Sequence, residues 1–152
     1  MPERVRFIAN WLIVVFWMSI IFTASTDVMA ERRTSRFIVP ALHWLFPGIS
    51  DSAVERVQYT IRKGGHVTEY AILALLLWRA LRQPRQEDPR PWSWRTAVAA
   101  VALAALYACT DEYHQSFVSS RYASVLDVGI DTLGAAAGMG GLWLVRFWKR
   151  DG

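Results

Sequence analysis

Residues 7–25 are nineteen consecutive positions without a charged side chain, and this run restricts the possible folds more than any other feature. Its only polar members are Asn10, Ser19, Thr23 and Ser25. In a helix rising 1.5 Å per residue, about 20 apolar residues cross the hydrocarbon core of a bilayer. Residues 125–148 also meet that length, whereas 66–81 and 96–110 are shorter and span only with neighbours such as 61–65 or 111–113. Hydrophobic residues make up 53% of the chain and charged ones 20%, with the charges segregated to the ends of these runs. The pattern predicts an all-α, integral membrane four-helix bundle in a single domain covering 1–152, with helices at about 5–25, 62–82, 94–114 and 124–148. A soluble bundle of unusually apolar helices is the alternative.

Charge sets an expected orientation. Four spans place both termini and the middle loop on one side. The other side holds Arg32, Arg33, Arg36, Arg56, Arg62, Lys63 and Arg121, leaving ten of the 17 basic residues on the side of the termini. The positive-inside rule then puts the termini in the cytoplasm. Trp78, Trp92, Trp94, Trp143 and Trp148 gather at the same ends, as an interfacial aromatic belt does. The competing reading is a signal peptide cleaved after Val28-Met29-Ala30, but the apolar run exceeds the usual 7–15 residues. The net charge of +4 does not indicate nucleic acid, because the arginines flank apolar runs instead of forming a stripe. The single Cys109 excludes an internal disulfide and reads as core filler.

The connection over 26–62 lies on the outer side. Within it, 35–46 is apolar, contains Pro40 and is too short to span, so it reads as an interfacial or re-entrant segment between helices one and two. Residues 51–62 read as a short amphipathic helix with Val54, Val57 and Ile61 on one side and Asp51 or Ser52 as cap. The polar, proline-rich stretch 83–93 reads as a cytoplasmic loop. Gly134 and Gly138, with Gly140 and Gly141, give helix four a small-residue face that packs inside the bundle or, alternatively, forms a homodimer seam.

Acids and histidines favour the outer side. Asp27, Glu31, Asp51, Glu55, Glu69, Asp111, Glu112, Asp127 and Asp131, nine of the 13 acids, fall there with all three histidines. Alternating helix direction alone therefore brings the outer ends of helices two, three and four together as the chemically capable region. Lys63, His66 and Tyr70 share one helix face, with Glu69 three residues after His66 and able to orient its imidazole. Tyr107, Asp111 and Gln115 share a second face, and Ser124, Asp127, Asp131 and Gly134 a third. His66, Glu69, Asp111 and Glu112 are the candidate catalytic groups, and Lys63, Tyr70, Gln115, Arg121 and Ser124 the candidate ligand binders. Asp127 and Asp131 could hold a divalent cation such as magnesium, because hard cations prefer carboxylate oxygens. The alternative is a structural cap in which Arg121 and Lys63 neutralise the acids.

Lys63-x2-His66-x3-Tyr70, Asp111-Glu112-x2-Gln115, Arg121, Asp127-x3-Asp131 and Gly134-x3-Gly138 together resemble the VanZ-like family across about 62–138. The chain has Ser119-Ser120 where the family commonly has Pro-Gly before the arginine, and Asp131 where it often has Asn. The first change alters the loop and the second adds charge. The resemblance implies a bacterial inner-membrane protein of four to five helices, linked in some members to teicoplanin resistance. Two functions follow as expectations. One is an outward-facing enzyme or binder for a lipid-linked anionic envelope ligand. The other is a non-catalytic scaffold or small transporter with a structural polar cluster.

Overall fold

The computed structural model describes residues 2–26, 31–82, 92–117 and 124–151. The Val28-Met29-Ala30 site and most of the 83–93 loop lie outside these residues. The described residues form five helices and no strand: α1 (Glu3–Ala24), α2 (Glu31–Leu45), α3 (Asp51–Arg82), α4 (Trp94–Gln115) and α5 (Val125–Asp151). α3 is central and packs against each of the other four, while α5 also packs on α4.

Two elements depart from the sequence reading. The segment with Pro40 belongs to a full helix, α2, that begins before residue 35. It packs on α3 and leaves Phe37 and Trp44, seven positions apart on one face, 80% and 81% exposed. The expected short helix over 51–62 is not separate, since α3 runs unbroken for 32 residues, about 48 Å at 1.5 Å per residue. No proline interrupts it. Gly64 and Gly65 each have open space around a virtual Cβ, so they cost helix propensity without forcing a break. The backbone N–H of Ala53 meets the Ser50 hydroxyl, so Ser50 caps this helix instead of Asp51 or Ser52. At α4, Ser93 caps in an extended conformation and accepts from the Thr96 N–H.

α1 and Val125–Trp148 of α5 are long and apolar enough to cross a membrane. Only 17% and 22% of their apolar windows are buried, the reverse of core helices in a soluble domain. Leu12, Phe16, Leu133 and Leu144 all face outward. α1 is nevertheless tied to the rest of the fold. Val14 and Ile21 enter the core, the Trp17 indole donates to the Glu69 carbonyl at 3.0 Å, and the Tyr107 hydroxyl donates to the Met18 carbonyl at 2.7 Å.

The helix contacts are built from small residues. Ala97, Ala100, Ala104 and Ala108 form a buried stripe along α4, at the three- and four-residue spacing of one helix face. A Cβ on Gly134 would lie 2.6 Å from the Val67 carbonyl oxygen and 2.8 Å from its Cα. One on Gly138 would lie 2.8 Å from the Ala71 carbonyl oxygen. Both partners advance by four residues, so α3 and α5 run parallel with their backbones in close approach, the arrangement that small-xxx-small spacing permits. At Gly134 and Gly138 the glycine face considered for a homodimer is thus packed against α3 of the same chain, while Gly140 and Gly141 have open space around them.

Gly134→Ala should lower the thermal midpoint of detergent-purified protein, reflecting about 1–3 kcal/mol of overpacking. Gly140→Ala, in open space, should leave it level or raise it slightly. Equal midpoints for the two variants would refute the close approach.

Candidate functional site

Three helix faces meet at one end of the fold, where α1 and α4 finish and α5 begins. α3 supplies Lys63, His66 and Tyr70, α4 supplies Asp111, Glu112 and Gln115, and α5 supplies Asp127 and Asp131. The Lys63 ammonium pairs with Asp127 across α3 and α5. His66 Nδ1 lies 3.6 Å from Asp131 Oδ1, with Asp131 only 1% exposed. Asp131 is also within electrostatic reach of Glu112, Asp111, Asp127 and Lys63. Lys63, His66, Asp111, Glu112, Asp127 and Asp131 thus lie at one end of the fold.

Two of the acids are engaged in holding helices. Asp111, 2% exposed, accepts at Oδ2 from the Ser25 hydroxyl at 2.7 Å and from Gln115 Nε2 at 2.9 Å. Ser25, itself buried, closes the end of α1 onto α4. Gln115, expected as a ligand binder, here holds a carboxylate. Glu112 Oε2 accepts the backbone N–H of Ser124 at 2.9 Å, fixing the start of α5 against the end of α4. The Ser124 hydroxyl accepts from the Leu126 N–H at 3.2 Å, so its side chain caps α5. Charge-assisted bonds of this kind are about twice as strong as neutral ones.

The remaining capacity is mostly acceptor. Asp111 Oδ1, Glu112 Oε1 and both oxygens of Asp131 have no hydrogen-bond partner among the described residues. The Tyr70 hydroxyl, on a fully buried ring 6.3 Å from that of Tyr107, is likewise without a partner among them. A buried acceptor left unmet costs about 1–3 kcal/mol, so this end is suited to a group that brings donors or shares a proton.

The structure places the other expected residues as follows. The backbone carbonyl of Glu69 receives the Trp17 indole, and it is Asp131 whose carboxylate lies within ion-pair distance of His66 Nδ1. Arg121 and Ser119-Ser120 lie outside the described residues. Of the two aspartates expected to bind a cation, Asp127 pairs with Lys63 and Asp131 faces His66. Among the described residues no three His, Cys, Asp or Glu side chains are grouped to hold a metal ion. Sequence reading missed Ser25 as part of this network. Its position at the last turn of the first apolar run, level with the end of α4, was the available signal.

Two helices long and apolar enough to cross a membrane, their exposed apolar side chains and the buried acids at one end point to a helical membrane protein with a polar terminal cluster. The VanZ/LLP1 family matches residues 10–146, nearly the whole chain, and the chain belongs to that family. The match reaches beyond the 62–138 motif core to include most of α1 and α5. No curated protein and no solved structure matches it significantly.

Lys63→Met and Asp127→Leu should each destabilise the protein more than the double variant does. The thermodynamic cycle should return a coupling of about 0.5–3 kcal/mol. Strict additivity would show that the pair contributes nothing to the fold.

Proposed function

We propose that this protein binds or processes a lipid-linked anionic envelope ligand at the polar cluster. In this reading α1, residues 62–82 of α3, α4 and α5 are four spans of one bacterial inner-membrane domain. The termini are cytoplasmic and the cluster lies toward the outer leaflet. The observation that carries the proposal is Asp131: a carboxylate buried to 1% exposure, with neither oxygen hydrogen-bonded among the described residues, beside His66. A residue needed only for packing would have no reason to be acidic here, since a charge in a membrane span costs about 2.5–3.5 kcal/mol even on insertion scales.

Within the cluster the roles divide. His66 with Asp131 forms the acid–base pair, placed to hold or move a proton at a bound headgroup. Lys63 and Arg121 serve the anionic group, Lys63 by sharing its charge between Asp127 and the ligand. Asp111 and Glu112 set the helix ends through Ser25, Gln115 and Ser124. The link to glycopeptide resistance of the teicoplanin type comes from the family resemblance, and headgroup binding is the physical route by which such a protein would alter drug access. A scaffold or small transporter is the second reading, favoured by the hydrogen bonds that make Asp111 and Glu112 helix ties.

The test is titration of folded, detergent-purified protein with a polyprenyl phosphate or diphosphate, with and without magnesium. His66→Ala should weaken binding by about tenfold, roughly 1.4 kcal/mol, while keeping the thermal midpoint. Glu112→Gln should mainly lower the midpoint. Absence of both binding and turnover in the unaltered protein would overturn the proposal, and parallel loss of stability in His66→Ala would favour the scaffold.

A further inference from the structure

The polar end holds an imbalance that an anion alone leaves uncorrected. Among the described residues of the cluster, the carboxylates of Asp111, Glu112, Asp127 and Asp131 stand against the Lys63 ammonium and the His66 imidazole. Lys63 answers Asp127. The unmet atoms belong to the other three acids. Asp111 Oδ1, Glu112 Oε1 and both oxygens of Asp131 have no hydrogen-bond partner among the described residues, and none of these residues is more than 5% exposed.

A second observation comes from another helix and another chemistry. The Tyr70 ring is fully buried, and its hydroxyl too has no partner among the described residues. Tyr70 follows His66 by one turn of α3 and is within electrostatic reach of Asp111 and Asp131. The neighbouring Tyr107 ring, 6.3 Å away, gives the contrast, because its hydroxyl is settled on the Met18 carbonyl. A phenylalanine at position 70 would fill the same space without burying an unmet hydroxyl, which costs about 1–3 kcal/mol. Packing does not explain that hydroxyl.

The donor inventory selects the missing group. Ionised carboxylates only accept hydrogen bonds, while a phenol accepts as well as donates. A phosphate brings acceptors and further negative charge, so it suits Lys63 but not these oxygens. A bare metal ion needs its oxygens gathered around one point at about 2.0–2.6 Å, and among the described residues no three His, Cys, Asp or Glu side chains are grouped that way. A primary ammonium has three diverging N–H bonds, each able to reach an oxygen on a separate side chain at about 2.7–2.9 Å. It also supplies the positive charge that buried carboxylates require.

We infer that Asp111, Glu112, Asp131 and Tyr70 form a subsite for a primary ammonium group carried by the ligand of the polar cluster. The inference rests on the reading that the cluster binds a lipid-linked headgroup. It makes that headgroup zwitterionic, with its phosphate at Lys63 and its amine among the buried acids.

The test is a lipid titration of full-length protein in neutral detergent, followed by the thermal midpoint, which rises when a ligand binds only the folded state. Phosphatidylethanolamine should raise the midpoint saturably. Phosphatidylcholine, with the same charges but no N–H donor, should bind about tenfold more weakly or worse. Phosphatidylglycerol, with the phosphate and no amine, should do the same. Equal affinity for phosphatidylethanolamine and either of these lipids would overturn the subsite. Free ethanolamine or magnesium binding as tightly as phosphatidylethanolamine would also overturn it, in favour of a soluble amine or a metal ion. Asp131→Asn and Tyr70→Phe should each reduce the preference for phosphatidylethanolamine over phosphatidylcholine severalfold, while keeping or raising the midpoint of the ligand-free protein. An undiminished preference in either folded variant would overturn the assignment. If neither variant folds, the lipid comparison on the unaltered protein decides alone. Binding of polyprenyl phosphate without any preference for phosphatidylethanolamine would sink the amine subsite only, whereas binding of no lipid would sink the function proposed for the cluster as well.

Discussion

The close approach of α5 to α3 at Gly134 and Gly138 is the constraint on which the polar end depends. With Val67 and Ala71 directly beneath the missing Cβ positions, the two helices are parallel and in fixed register. One and two turns before Gly134 on α5, Asp131 and Asp127 then fall opposite His66 and Lys63. A helix spaced farther out by larger side chains would leave both pairs beyond bonding range. The alanine stripe of α4 extends the same principle, letting a third helix approach closely enough for Asp111 and Glu112 to enter the cluster. Backbone proximity, set by residues with little or no side chain, thus precedes the electrostatics.

The acids then separate into two kinds by their environment. Asp111 and Glu112 each use one oxygen to hold a neighbouring helix end and leave the other open. Asp131 uses neither oxygen in a hydrogen bond with a described residue and faces an imidazole. Burying a carboxylate with neither oxygen hydrogen-bonded among the described residues is costly, which is why Asp131, facing His66 across α3 and α5, is the centre of the functional reading. At the other end of α3 and α5, Arg82 and Arg146 both lie over the Trp78 ring.

Much of this was legible in the chain. The charge-free run at 7–25 and the apolar run at 125–148 mark α1 and α5, and the charge borders place α4 and the second half of α3 within a few residues. Helix direction alone put His66, Asp111, Glu112, Asp127 and Asp131 at one end. What did not follow was anything that requires interhelical register. Periodicity shows that Glu69 can reach His66 along one helix, but not that Asp131 arrives from another. Nor does it show that Gln115 and Ser25 share the same carboxylate, or that the Ser124 hydroxyl is used in capping. The unbroken length of α3 escaped because the polar 51–62 segment changes composition without a stop signal, and composition was the cue for the boundary. α2 was masked by Pro40, which a helix tolerates when the neighbouring packing supports it.

The hydrogen bond from Ser25 to Asp111 joins positions 86 apart in the chain. Contacts of such separation close late, since the intervening segments must first be made and brought together. The end of α1 therefore has to stay near its final place while three further helices arrive, and the acid near the end of α4 stays without its serine donor until the two meet. The Ser25–Asp111 bond therefore forms only once α4 has joined α1, and the end of α1 acts as the latch for a helix that follows much later in the chain.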